Sequence, residues 1–451
     1  MVRRGGAACQ PCDARVVTWT RGLPMGAAMP LIALLAAAPE VPLEAPLTVV
    51  GRPVLDRQVR QARHAGATRV LVLGGPSGDG EAVPGPVAAA ALIDDGDLVL
   101  VLAPGLVADE RIVAAVIAAA PALATWPERG VERIDATAMS AGIAVYPGAL
   151  VRRVAATLGE WDLQSTLLRA AHAEPGVARV DLAALPLYAP ARRREVPLTW
   201  LVPETVEAAA QATTTVIEAA QKGCLDWPAR FLHPPIEDGL VRLLGPTPIT
   251  PNMVTLFVAA LSLVAGVAFA YGWLWTGLVL ALISGPLDGV DGKLARARVE
   301  FSKWGDLEHV LDKIAEYGWY LALAGHFAVT LGHAPWLVAA LIISFALAEA
   351  LGGEFFRRFT GAQLDDAGSF ERRFRLVSGR RNTFFWSLVP FAVFGAWYAG
   401  FVMIALYAVA TFFVMQWRLF VRLAQYGRRN SAAVAANLDA TAYDFLPGST
   451  P

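Results

Sequence analysis

Six long apolar stretches follow one another after residue 250: roughly Met253–Trp273, Leu274–Leu287, Leu307–Leu331, Trp336–Phe356, Thr383–Ala399 and Phe401–Trp417. Before residue 200 the pattern differs, with short apolar runs alternating with amphipathic ones. Leu31–Leu35, Arg69–Leu73 and Asp97–Leu102 read as strands, and Val54–His64 and Arg111–Ala120 as helices. That alternation predicts an α/β domain with a largely parallel sheet. The later stretches predict an all-α domain of six transmembrane helices. The second stretch is short for a hydrocarbon core of about 30 Å, so the reading extends it as helix through Asp288 to Ala297. Thr250-Pro251 supplies a capping residue and a first-turn proline for the first helix.

Charge sets the orientation. Lysine and arginine occur before the first stretch, in 293–303, in 357–381 and from Arg418 onward, while the three alternate connections contain none. This predicts a multi-pass protein of the cell (inner) membrane with both termini cytoplasmic. Trp273, Trp275, Trp336 and Trp397 fit the outer interface belt. Composition agrees: 451 residues, 55% hydrophobic, mean hydropathy +0.47. A net charge of −1 gives no argument for nucleic acid as a partner. Three cysteines make no disulfide framework, and Cys9 and Cys12 lack the second pair that a zinc site needs. Residues 23–38 mimic a signal peptide, but Pro30–Leu35 reads as the first strand, and Met25 or Met29 is an alternative start.

The densest chemistry lies between the second and third stretches. Asp288 and Asp291 are three residues apart, and Glu308 and Asp312 four apart. On helices each pair shares a face, so two facing helices can present four carboxylates to one centre. A central charged side chain costs about 2.5–3.5 kcal/mol on insertion scales, which makes a shared metal ion or a polar cavity the expected compensation.

Asp288, Asp291, Gly292, Ala295, Arg296, Gly305 and Asp312 together resemble the signature of the CDP-alcohol phosphotransferase family: two aspartates, Gly-x-x-Ala-Arg, a glycine, and two further aspartates one helical turn apart. Two departures stand out: the third acid is Glu308, and its interval from Gly305 is one residue shorter. The resemblance implies an integral membrane transferase in phospholipid biosynthesis, forming a homodimer. It would move a phosphatidyl or other phospho-alcohol group from a CDP-alcohol, CDP-diacylglycerol first, to a hydroxyl acceptor, releasing CMP. It further implies Mg²⁺ or Mn²⁺ held by Asp288, Asp291, Glu308 and Asp312, with Asp312 also the general base. Asn252, Asp288, Gly292, Ala295, Arg296 and Gly305 would contact the nucleotide. A helix-start role for Asn252, metal ligation by Asp306 and a polar-cavity role for His309 stay open.

Arg357, Arg380 and Arg381, with Arg358, bracket a loop suited to an acceptor phosphate, although such residues also satisfy the positive-inside pattern. Gly379-Arg380-Arg381 resembles the inositol-phosphate-using branches, with a polyol or polyol phosphate as acceptor. Phosphatidylglycerophosphate-type synthesis, a catalytically silent membrane scaffold and a cation transporter are the alternatives, and nearly uncharged first, fifth and sixth stretches argue against transport. Gly51-Arg-Pro-Val-Leu-Asp56 through Val72 resembles sugar-nucleotide nucleotidyltransferases. Their glycine-rich phosphate loop is replaced here by 36–42, with Pro39 and Pro42, and their strand-end aspartate by Ala103-Pro104-Gly105. The expectation is therefore a degenerate nucleotidyltransferase-like domain. The domains read as a leader 1–28, that α/β domain 29–203, a linker and interfacial amphipathic helix 204–249, the membrane domain 250–425 and a tail 426–451.

Overall fold

The computed structural model describes residues 29–37, 47–74, 79–159, 162–174, 176–301, 305–432 and 434, without the side chains of 305–310. The leader with Cys9 and Cys12, the prolines of 38–46 and the side chains of Asp306, Glu308 and His309 lie outside the described residues.

The amino-terminal region is built on one sheet. Strand Leu31–Ala36 is central and pairs in parallel with Arg69–Leu73 on one side and Leu98–Leu102 on the other. The sheet is mixed, however, because Met139–Pro147 runs antiparallel between Leu98–Leu102 and Ala122–Trp126. Along the main strand order the other strands run the same way, so the sheet is largely parallel, as expected, with this one strand reversed. Five helices cover the sheet: α1 (Val54–His64), α2 (Pro86–Ala90), α3 (Glu110–Ala118), α4 (Gly148–Thr157) and α5 (Leu163–Ala173). Leu31–Ala36 is buried along nearly its whole length, as a central strand covered on both faces must be. Alternate residues face different cores: Ala33 and Leu35 join the side with Val59 and Ile112, Ile32 and Leu34 the side with Leu150 and Leu167.

Three helices lead to the bundle: α6 (Val206–Ala219), α7 (Trp227–Phe231) and α8 (His233–Leu244). The bundle follows as α9 (Pro251–Ala270), α10 (Leu274–Arg298), α11 (Gly305–Leu331), α12 (Ala334–Thr360), α13 (Ser369–Val377), α14 (Arg381–Val393) and α15 (Trp397–Arg429). The Thr250 side chain accepts from Met253 N, with Pro251 in the first turn, as read from sequence. The second apolar stretch does continue unbroken through Asp288 and Ala297 as α10.

Among the described residues, α9, α12 and α15 are long and apolar enough to cross a membrane, with mean hydropathies of 2.4, 2.0 and 2.0. The chain is thus a membrane protein. The fifth stretch, expected over Thr383–Ala399, ends at Val393 because Gly395 turns left-handed at φ 70°. The resulting 13-residue helix is shorter than the roughly 20 residues that span a bilayer. An aromatic core holds the bundle together. Trp319 donates from Nε1 to Ser262 O at 2.7 Å and meets Phe385 edge-on at 5.0 Å between ring centroids.

The two regions are docked. The Val50-Gly51 turn presses so close to Gly245-Pro246 that a Cβ on Gly51 would sit 2.3 Å from Pro246 N. Arg52 and Arg60 pair with Glu300 at 3.8 and 2.9 Å, and Arg57 donates to Ala297 O. These cations crowd the carboxyl end of α10, where the helix dipole is negative.

Candidate active site

The site is assembled at the charged end of the bundle, where α10, α11 and α14 meet under α7 and α8. Asp288 and Asp312 come from different helices and are joined by one guanidinium. Arg381 Nη2 lies 2.6 Å from Asp288 Oδ2, and Arg381 Nη1 lies 3.4 Å from Asp312 Oδ1. Side-chain exposure is 26% for Asp288 and 28% for Asp312, so both carboxylates remain reachable from solvent. Glu308 occupies α11 one helical turn before Asp312, with its side chain outside the described residues.

Asp291 is buried and accepts a 2.7 Å hydrogen bond from Thr255 Oγ1. Thr255 lies three residues beyond exposed Asn252 on α9, which ties the start of that helix to the signature. Arg296 donates to Ala220 O at 2.7 Å, and a Cβ on Gly292 would fall 3.1 Å from its Nη1. Gly292 thereby leaves the space that the arginine uses. Ala295 follows on the same helix, partly exposed, and Gly305 opens α11.

The arginines expected to act together separate. Arg381 stands in the carboxylate centre, whereas Arg380 pairs with Glu349 at 2.8 Å. Arg357 and Arg358 both pair with Glu354 on the exposed surface of α12.

Several residues at the centre escaped the sequence reading. Asp226 caps α7 and accepts from Asn382 Nδ2 at 3.4 Å. His233 and Asn382 flank Gly285, whose Cβ would meet His233 Cε1 at 3.0 Å and Asn382 Oδ1 at 2.9 Å. Burial pushes the His233 imidazole below its ordinary value, against the pull of Asp226. Glu237 approaches so closely that a Cβ on Gly289 would lie 2.3 Å from its Oε1. Burial raises the Glu237 carboxyl, opposed by Lys293, whose Nζ is 3.6 Å away. The available sequence signal was the small-residue spacing Gly285, Gly289, Gly292 along one helix, which admits neighbouring helices to close range.

A profile of the CDP-alcohol phosphatidyltransferase family matches residues 248–421. The inner membrane protein YnjF of Escherichia coli (strain K12) is 33% identical over 160 residues, 33% of this chain and 73% of that one. The chain belongs to the CDP-alcohol phosphatidyltransferase family. It is also similar to the "Bifunctional IPC transferase and DIPP synthase" of Aquifex aeolicus (strain VF5), 28% identical over 224 residues, 48% of this chain and 51% of that one. The "Phosphatidylinositol phosphate synthase" of Cutibacterium acnes (strain DSM 16379 / KPA171202) is 33% identical over 96 residues, 21% of this chain and 44% of its own length. The chain therefore spans about half the length of the Aquifex protein.

The family generally depends on divalent metal. Asp288, Asp291 and Asp312 offer only oxygen donors, the chemistry that hard divalent cations take. Among the described residues no group of three or more histidines, cysteines, aspartates or glutamates is arranged to hold a metal ion. Arg381 instead neutralises Asp288 and Asp312.

Proposed function

We propose that this chain transfers the phospho-alcohol group of a CDP-alcohol, CDP-diacylglycerol first among candidates, to a hydroxyl of an inositol phosphate. CMP is the leaving group. The observation that carries the reading is the Arg381 bridge between Asp288 and Asp312. It brings acids from both halves of the signature to one centre beside a cation suited to phosphate. The similarity to inositol-phosphate-related synthases supports the acceptor class.

The acceptor oxygen attacks the β-phosphorus of the CDP-alcohol, and the bond from that phosphorus to the bridging oxygen of CMP breaks. Asp312 takes the acceptor proton. Arg381, with Arg380 behind it, orients the acceptor phosphate, and Arg296, Gly292, Ala295 and Asn252 receive the nucleotide. Asp288, Asp291, Glu308 and Asp312 would hold Mg²⁺ or Mn²⁺, which when bound supplies charge neutralisation to the diphosphate. Clustered lysines and arginines support an orientation with this end and both termini in the cytoplasm. A homodimer completes the reading.

The test is CMP release by purified protein in detergent with CDP-diacylglycerol, Mn²⁺ and a panel of polyol phosphates. Release with inositol phosphate is expected. Release with glycerol phosphate alone would point to phosphatidylglycerophosphate-type synthesis. No release with any acceptor would favour a silent scaffold, a reading that the Glu308 departure motivates.

A further inference from the structure

A hairpin of the amino-terminal region reaches the segment that carries the site arginines. Tyr188–Ala189 pairs with Arg194–Glu195, and Arg193 sits in the turn between them at φ 53°. Glycine or asparagine usually fills such a left-handed position. Arg193 Nη1 lies 2.7 and 2.8 Å from the two carboxylate oxygens of Asp365. Asp365 in turn faces Arg375, with Nε at 3.2 Å, and lies within electrostatic reach of Arg380. The neighbouring Asp366 accepts from the Tyr188 hydroxyl and pairs with Arg372 at 2.5 Å. From these aspartates the chain runs through α13 directly to Gly379, Arg380 and Arg381. Arg375 Nη1 and Arg380 Nε are buried without a hydrogen-bond partner among the described residues. Such donors are rare in native proteins and call for a partner.

We infer that Arg193 is a positioning residue for the acceptor side of the site. It anchors Asp365, Asp365 fixes Arg375, and the 364–381 segment is thereby held in register with Asp288 and Asp312. The amino-terminal region acts as a strut for an acceptor phosphate it never touches. The inference rests on the acceptor reading given above.

Full-length R193Q in detergent tests it by two measurements. Hydrogen–deuterium exchange should quicken over 361–381 and stay unchanged over 251–298. The KM for inositol phosphate should rise by about tenfold, with kcat and the KM for CDP-diacylglycerol within about twofold of wild type. R193K, which keeps the charge, should recover most of both effects. Should R193Q not purify, Y188F, which removes the neighbouring hydroxyl bond to Asp366, carries the test with the same sign. Unaltered exchange over 361–381 overturns the strut. A loosened segment with an unaltered acceptor KM overturns the positioning role. Wild-type protein inactive with every polyol phosphate overturns the acceptor reading, and this role with it.

Discussion

The sheet and the bundle each bring segments together at one end, and the two ends are furnished differently. At the carboxyl ends of Leu31–Ala36 and Leu98–Leu102 lies a cavity of about 320 Å³ walled by Leu34, Leu35, Leu73, Val101 and Pro104. Its acid, Asp162, is committed to capping α5 by accepting from Ser165 N at 2.8 Å, and Gln164 closes on Leu102 O at 2.9 Å. At the bundle end, Asp288 and Asp312 are shielded from solvent only in part and share the Arg381 guanidinium. Open α/β sheets place ligands beyond their strand ends, yet a crevice is only a shape. Among the described residues, solvent-reachable carboxylates from two helices gather around one guanidinium in the bundle.

The largest effect should come from removing the proposed proton acceptor. Asp312→Asn keeps shape and some ligating capacity but cannot take the proton, so turnover should fall by about 10²–10⁴-fold while CDP-alcohol binding is nearly retained. Asp291→Asn should instead weaken metal dependence and nucleotide binding together. Near-normal CMP release by Asp312→Asn would remove the base assignment and favour a metal-bound acceptor hydroxyl or His309.

A second bundle carboxylate separates structural from chemical use. Glu371 is fully buried between Arg418 and Arg422, each at 2.7 Å. Burial pushes its carboxyl up, but the bonds from Arg422 and Arg418 outweigh this and hold it at about 2, below the ordinary 4.5. A depressed carboxyl stabilises the fold fully above its unfolded value and loses that contribution as pH falls through the folded one. Melting temperatures of wild type and E371Q should therefore differ above about pH 4.5 and converge as pH falls toward 2. Parallel curves through that window would deny Glu371 this role.

The sheet cavity gives the next contrast. A ligand that binds only the folded state raises the melting temperature. Because the proposed bundle site also takes a cytidine nucleotide, the discriminating readout is product: CTP with Mg²⁺ and inositol phosphate should yield no CDP-inositol. CDP-inositol formation would mean that the sheet end retains a nucleotidyl-transfer site. The smallest effect belongs to Arg357. Its exposed pairing with Glu354 has a typical worth of about 0–1 kcal/mol, so Arg357→Ala should leave CMP release within about twofold of wild type.

Much of this molecule was legible along the chain. Short continuous apolar runs located the strands Leu31–Ala36 and Arg69–Leu73, and helical patterning the helix Val54–His64 and the continuation of α10 through its acids, because these signals are local. The i, i+3 and i, i+4 spacings of the signature acids follow from helix geometry alone. What escaped was partnership. Arg380 and Arg381 are adjacent in sequence, yet one turns to Glu349 and the other to Asp288.

By itself, then, the sequence determined the two-part architecture, the family signature and the residue types at the centre. Only the tertiary structure decided that Arg381 closes the carboxylate pair, that His233 and Glu237 crowd the glycine face of α10, and that Arg193 reaches Asp365 across 172 positions. The reason is physical: periodicity records which face of an element is apolar, whereas the partner of a charge is settled by packing between elements far apart in the chain.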